Sequence, residues 1–410
     1  MDTNQGDAMK PLDIVIVGHV DHGKSTLIGR LLYETGSLPK EKIEELKKTC
    51  EMLGRDFEYA YIMDSLEEER KEQKTIDTAE IYFKVNGRDY TIIDAPGHKE
   101  FLKNMITGAS RADAAILITD VKEGVREQTR RHAYILSLIG IDQIILLVNK
   151  MDLVDYDKIA FKSVKEKLLS FMSKLGIEPR HIIPISAKMG DNIVKKSENM
   201  PWYDGEPLVN ALSSFHKKSK GFDLRLPIQD IYEINNEKVV VGRVISGEIN
   251  KNDDVDIYPS KEKTKVKEIK IFEGNKTSAK AGESIGIVFE GNVHADRGQI
   301  ICKGKPPIVT NEINAVIFSM LPDGVKKEGF ILRCTTQEIP CIIEEIYERI
   351  DSSTLEILER NANSLKESEV GKVKITTKDL IVIEKFKELQ ELGRFVLEKN
   401  GNIYAGGVII

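Results

Sequence analysis

"GHVDHGKST", residues 18–26, follows the apolar run "LDIVIV" at 12–17 and precedes "LIGRLL" at 27–32, whose apolar residues recur at helical spacing. A strand that ends in a glycine turn and feeds directly into a helix aims several backbone N–H groups at one point. The positive end of the helix dipole reinforces them there. That is an anion site before any side chain is considered. Gly18, Gly23, Lys24 and Ser25 fit G-x-x-x-x-G-K-[ST], the phosphate loop. Glycines let the backbone wrap the phosphates, Lys24 reaches the outer phosphate oxygens, and the Ser25 hydroxyl is placed to ligate Mg²⁺. Gly18, His19, Val20, Asp21, His22, Gly23, Lys24, Ser25 and Thr26 are therefore the candidate phosphate cradle.

The loop sits in a chain of 410 residues, too long for one ordinary core and suited to two or three domains. With 41% hydrophobic and 31% charged residues the composition is that of a globular protein. A net charge of −6 offers no overall attraction to nucleic acid, although it leaves room for a local basic face. Cys50, Cys302, Cys334 and Cys341 lack C-x-x-C spacing and read as buried free thiols of a reducing compartment. "MDTNQGDAMKP" at 1–11 is polar, and no apolar run reaches the length of a membrane span, so a cytoplasmic protein with a flexible N-terminal tail is expected.

From residue 12 to 215, the apolar runs "LDIVIVG", "YTIIDAPG", "AAILITD", "QIILLVNK" and "HIIPIS" alternate with helix-like stretches. Continuous apolar strands separated by helices indicate a mainly parallel sheet covered on both faces, an α/β nucleotide-binding domain. "HKKSKGFD", 216–223, is charged and contains glycine, as a linker would. From 224 to 306 the segments become short and alternating, the pattern of a small antiparallel β-barrel. "KGKPP" marks a second boundary, and 307–410 again reads as strands, with one charged interruption near 351–369.

Three further motifs constrain the first. "YTIID" ends in "DAPGH", which puts Asp94 at the carboxyl end of a strand, where open α/β sheets hold their ligands. There Asp94 would support Mg²⁺ or orient a water, the Gly97 N–H would bond the terminal phosphate, and His98 would orient a hydrolytic water. "NKMD" adds base recognition. Asn149 faces the N7 side, Lys150 lies along the base plane, and the Asp152 carboxylate accepts from N1–H and the exocyclic amine, a donor pair that guanine has and adenine lacks. "SAK", with Ser186, Ala187 and Lys188, supplies a backbone contact to the base.

The order "GHVDHGKST", "DAPGH", "NKMD", "SAK" resembles the translational GTPase superfamily. The resemblance implies a GTPase domain followed by two small β-barrels, with GTP or GDP and Mg²⁺ as cofactors. It also makes Thr75 of "TIDTA" the switch threonine that ligates Mg²⁺ and senses the γ-phosphate, so Lys24, Thr75 and His98 form the catalytic set. "ERKEQKTI" departs from the usual E-R-x-x-G-I-T-I by Gln73 and Lys74, and "KNGNIYAGGVII" lacks the arginine that precedes the last strand in elongation factor Tu. "REQTRRHAYILSLIGI", "VNKMDLVDYD" and "GDNIVKKSENMPWYDGEPLVNAL" resemble the GTPase subunits of two-subunit sulfate adenylyltransferases. That likeness implies a subunit that couples GTP hydrolysis to adenylyl-sulfate formation by a partner adenylyltransferase subunit, without nucleic acid. Arg130, Arg131 and His132 would face that partner or simply line a solvated helix face. The alternative is an elongation factor that delivers aminoacyl-tRNA to the ribosome. No second phosphate loop occurs, and the His19/His22 pair lies inside the first, so the chain itself should not make adenylyl sulfate.

Overall fold

The computed structural model describes residues 11–19, 21–52, 54, 56–72, 79–94, 112–217, 223–234, 237–271, 274–291 and 293–410. The described residues up to Lys217 form one compact unit and those from Asp223 onward form a second.

The first unit is built on a six-stranded sheet in the order β2-β3-β1-β4-β5-β6, with β1 at Leu12–Gly18, β2 at Ala79–Val85, β3 at Arg88–Asp94, β4 at Ala114–Asp120, β5 at Ile144–Asn149 and β6 at His181–Pro184. Every residue of β4 and β5 is buried, which is why these central strands read as unbroken apolar runs. Only β2 runs antiparallel. It pairs with β3 through a hairpin whose turn residues, Asn86 and Gly87, both have positive φ, the type I′ signature. In the parallel part, Gly18 lies opposite Ile118 and Asp120 opposite Asn149, so the carboxyl ends of the strands share one edge.

Helix α1, Lys24–Glu34, buries Leu27, Ile28, Leu31 and Leu32 against that sheet. Helices α2, Lys40–Met52, and α3, Ala60–Glu72, follow, and Ile62 and Met63 of α3 join the same core. Its far end is closed by Gln143, 1% exposed, which donates to the carbonyls of Asp113 and His216 and accepts from the His216 N–H.

The second unit contains two closed antiparallel barrels. In one, the strands Asp254–Tyr258, Ile300–Lys303, Leu224–Ile234, Glu237–Arg243, Ser284–Phe289 and Glu262–Ile271 pair in that order, and the last pairs back to the first. In the other, Gly329–Cys334, Arg394–Lys399, Asn402–Ile409, Ile308–Ser319, Glu369–Ile383 and Gln337–Asp351 close in the same way. The charged interruption expected near 351–369 is in part a strand, Ile357–Ala362, paired along the outer edge of Gln337–Asp351. Five of its six residues are exposed, so no apolar alternation marked it. All four cysteines are buried free thiols. Among the described residues no helix is long and apolar enough to cross a membrane.

Candidate nucleotide-binding site

The phosphate loop leaves β1 at Gly18 and enters α1 at Lys24. Gly23 has φ +91°, and a Cβ there would stand 2.4 Å from the Asn149 amide nitrogen, so glycine is required twice over. No side chain caps α1 at Gly23, an N-terminus of the kind that suits an anion. Lys24 Nζ donates to the carbonyls of Gly18, at 2.8 Å, and His19, at 3.1 Å, which holds its ammonium over the mouth of the loop. The His22 ring is fully buried, with Nδ1 3.4 Å from Ile118 O and Nε2 3.3 Å from Glu123 Oε2. Burial pushes its pKa below the ordinary histidine value, and Glu123 opposes this only in part. The ring is thus buried against β4. No cluster of metal-binding side chains occurs among the described residues.

Asn149 ends β5 and is 1% exposed. Its Nδ2 donates to His22 O at 2.8 Å and its Oδ1 accepts from the Ala187 N–H at 2.9 Å. Both ends of one amide therefore brace the phosphate loop against the "SAK" loop. The chain then turns at Lys150, φ 64°, into a 3-10 turn over Met151–Val154 that carries Asp152. Asp152 Oδ1 accepts from the Ser186 hydroxyl at 2.6 Å, and the same hydroxyl accepts from the Met189 N–H at 3.1 Å. Lys150 Nζ lies 2.8 Å from Asp120 Oδ2. Burial alone would raise the Asp120 pKa; the bonds from Lys150 and from the Glu123 and Lys122 N–H groups outweigh it and hold the carboxyl below its usual range.

Asp94 closes β3, opposite Ala79 of β2. Val20, Thr75, Gly97 and His98 lie outside the described residues. Asp120 and Arg30 were not singled out by sequence. Arg30 projects from α1 and donates through Nη1 to Lys188 O and through Nη2 to Met189 O, both at 3.0 Å. Its Nε bonds Glu34, and its guanidinium stands 4.4 Å from the Tyr59 ring centre. Gly190, φ +91°, passes so close that a Cβ would lie 2.0 Å from Arg30 Nη2. The helix that carries the phosphate loop is thus bolted to the loop on the base side. Removing this bolt in Arg30→Ala is expected to speed GDP release about tenfold, the kinetic equivalent of roughly 1.4 kcal/mol from two charge-assisted bonds partly replaced by water. Chase of a fluorescent GDP analogue measures it; an unchanged release rate would mean that the base loop holds itself.

Family profiles match three successive stretches that together span most of the chain. "Elongation factor Tu GTP binding domain" matches residues 9–218, "Elongation factor Tu domain 2" residues 237–302 and "GTP-eEF1A C-terminal domain-like" residues 312–410. Elongation factor 1-alpha of Methanoculleus marisnigri is 39% identical over 413 residues, covering 98% of this chain and 97% of that protein. The elongation factor 1-alpha of Methanopyrus kandleri is 39% identical, covering 97% of each. That of Natronomonas pharaonis is 38% identical, again covering 97% of each. The chain belongs to the elongation factor Tu/1-alpha family of GTPases. Guanine nucleotide and Mg²⁺ are the cofactors of this fold, and the uncapped N-terminus of α1, the glycine clearance and the Asn149 brace fit them.

These likenesses overturn the sulfate-activation reading and its adenylyltransferase partner. The relatives are elongation factors across nearly the whole chain. The residues that suggested a sulfate-activating partner have other work. On the helix Glu127–Leu138, His132 is 4% exposed, Arg131 pairs with Glu127 one turn back, and Arg130 lies over the Phe171 ring. Neither does the missing C-terminal arginine separate the chain from the family, because the C-terminal profile runs through residue 410.

Proposed function

We propose that this protein is an elongation factor of the 1-alpha type, a GTPase whose GTP form carries aminoacyl-tRNA to the ribosome. The single observation that carries this reading is similarity to elongation factor 1-alpha at 39% identity over 98% of the chain, barrels included. A GTPase domain alone would support only nucleotide binding, whereas likeness through both barrels extends to the surfaces with which such a factor holds its cargo.

In this reading Lys24 and the N–H groups of residues 18–26 hold the phosphates. Ser25 and Thr75 ligate Mg²⁺, with Asp94 behind them. Asn149, Lys150 and Asp152 select guanine, with Ser186, Ala187 and Lys188 shaping that side of the pocket. Mg²⁺ supplies charge neutralisation between the outer phosphates when nucleotide is bound. Gly97 donates to the terminal phosphate, and His98 orients the attacking water. The 216–223 linker and the limits 224–306 and 307–410 for the two barrel domains belong to the same proposal.

The test follows the ester bond of a charged tRNA. Its spontaneous hydrolysis should slow strongly when the GTP-loaded chain is added and stay unchanged with the GDP form, and ribosomes should raise GTP turnover. Equal deacylation with GTP and GDP forms would refute the carrier role while leaving the GTPase assignment standing.

A further inference from the structure

Lys158, Lys162 and Lys165 recur at i, i+4 and i+7 on the helix Lys158–Lys174, so three ammonium groups share one face over about 10 Å. With Arg180, just before β6, and the rings of Trp202 and Tyr203, they line a cavity of about 430 Å³. Phe161 forms part of the same wall, and Asp204 is the one acidic residue on it. Among the described residues none of the four cationic side chains has an ion-pair or hydrogen-bond partner. Lysines on a solvated helix face need no concavity and no aromatic wall, and here both are present.

The rings are held in place. Trp202 donates its indole N–H to Tyr156 O at 3.0 Å and packs with its centre 5.5 Å from that of Phe161. The Tyr203 hydroxyl donates to Glu206 O at 3.2 Å. Both side chains are half-buried, which leaves ring surface toward the hollow. A row of unmatched cations beside fixed rings is the arrangement that binds an unpaired nucleic acid strand, phosphates on the cations and bases on the rings.

We propose that this groove binds single-stranded RNA. The three-lysine row spans about three stacked nucleotides at ~3.4 Å each. An acidic peptide would use the cations but has no need of the fixed rings, and a duplex keeps its bases from them. The site lies wholly within the GTPase domain and does not depend on the aminoacyl-tRNA reading.

The chain has one tryptophan, so its intrinsic fluorescence reports on the groove directly. With the full chain in its GDP form, a hexameric oligoadenylate should quench Trp202. Binding three or four phosphates should give a slope of log affinity against log salt of about −2 to −3. The double variant K162E/K165E should lose the quenching while keeping its GDP affinity. Absence of quenching, a flat salt dependence, or undiminished binding by that variant would overturn the proposal. So would equal binding of a duplex, or displacement by a polyglutamate peptide of matching affinity, which would assign the groove to an acidic protein segment.

Discussion

Asp152→Asn is expected to lower affinity for GTP by about 10²–10⁴ and to raise affinity for xanthosine triphosphate, reversing the order of the two. In the proposed role the carboxylate offers two acceptors to the N1–H and amine of guanine. Hydrogen bonds to a charged group contribute about 1.5–3 kcal/mol each, so two give about 3–6 kcal/mol. Asparagine keeps the local frame, because its carbonyl oxygen still accepts from the Ser186 hydroxyl that anchors Asp152 Oδ1 at 2.6 Å. Its amide then presents a donor where the acid presented an acceptor, and the 2-oxo group of xanthine is the complement. Competition between the two triphosphates for the Mg²⁺-loaded protein measures the exchange. Retention of GTP affinity within a factor of ten, with no gain for the xanthine nucleotide, would remove Asp152 from base recognition.

What could be read from the sequence divides by distance along the chain. The phosphate loop was legible because glycine turn, lysine and helix start fall within nine residues. The central strands were legible because burial on both faces leaves a continuous apolar run, as in β4 and β5. The β2–β3 hairpin escaped even though Asn86-Gly87 is its signal. The Asn149 brace joins residues 127 apart to the phosphate loop, and the Arg30 bolt reaches a carbonyl 158 residues away. No local pattern carries such pairings: by spacing, Arg30 and Glu34 read only as an ordinary i, i+4 pair. The sulfate reading failed for a different reason: it rested on the resemblance of three short stretches, whereas the likeness to elongation factor 1-alpha runs through nearly the whole chain.

The second large effect lies in the barrel unit. Arg225 begins the first barrel with its side chain 0% exposed and donates through Nε and Nη2 to Glu384 Oε1, at 2.9 and 2.7 Å. It also donates to the carbonyls of Leu224 and Lys305. Glu384, 3% exposed at the side chain, follows the strand Glu369–Ile383 of the other barrel, and Lys305 belongs to the segment between them. One guanidinium therefore ties both barrels and their connection. Arg225→Met should destabilise the barrel unit by about 3–5 kcal/mol, because it leaves a buried carboxylate without a partner. The double variant R225M/E384M should recover much of that loss, since replacing both charges removes the stranded one, but not all of it, because the Leu224 and Lys305 carbonyls still lose their donor. Denaturant unfolding followed by far-ultraviolet circular dichroism gives the three stabilities, and unchanged GDP affinity serves as the control. If the single and double variants were equally destabilised, the cost would lie in the lost carbonyl contacts and packing, and the buried ion pair would have no part in holding the barrels together.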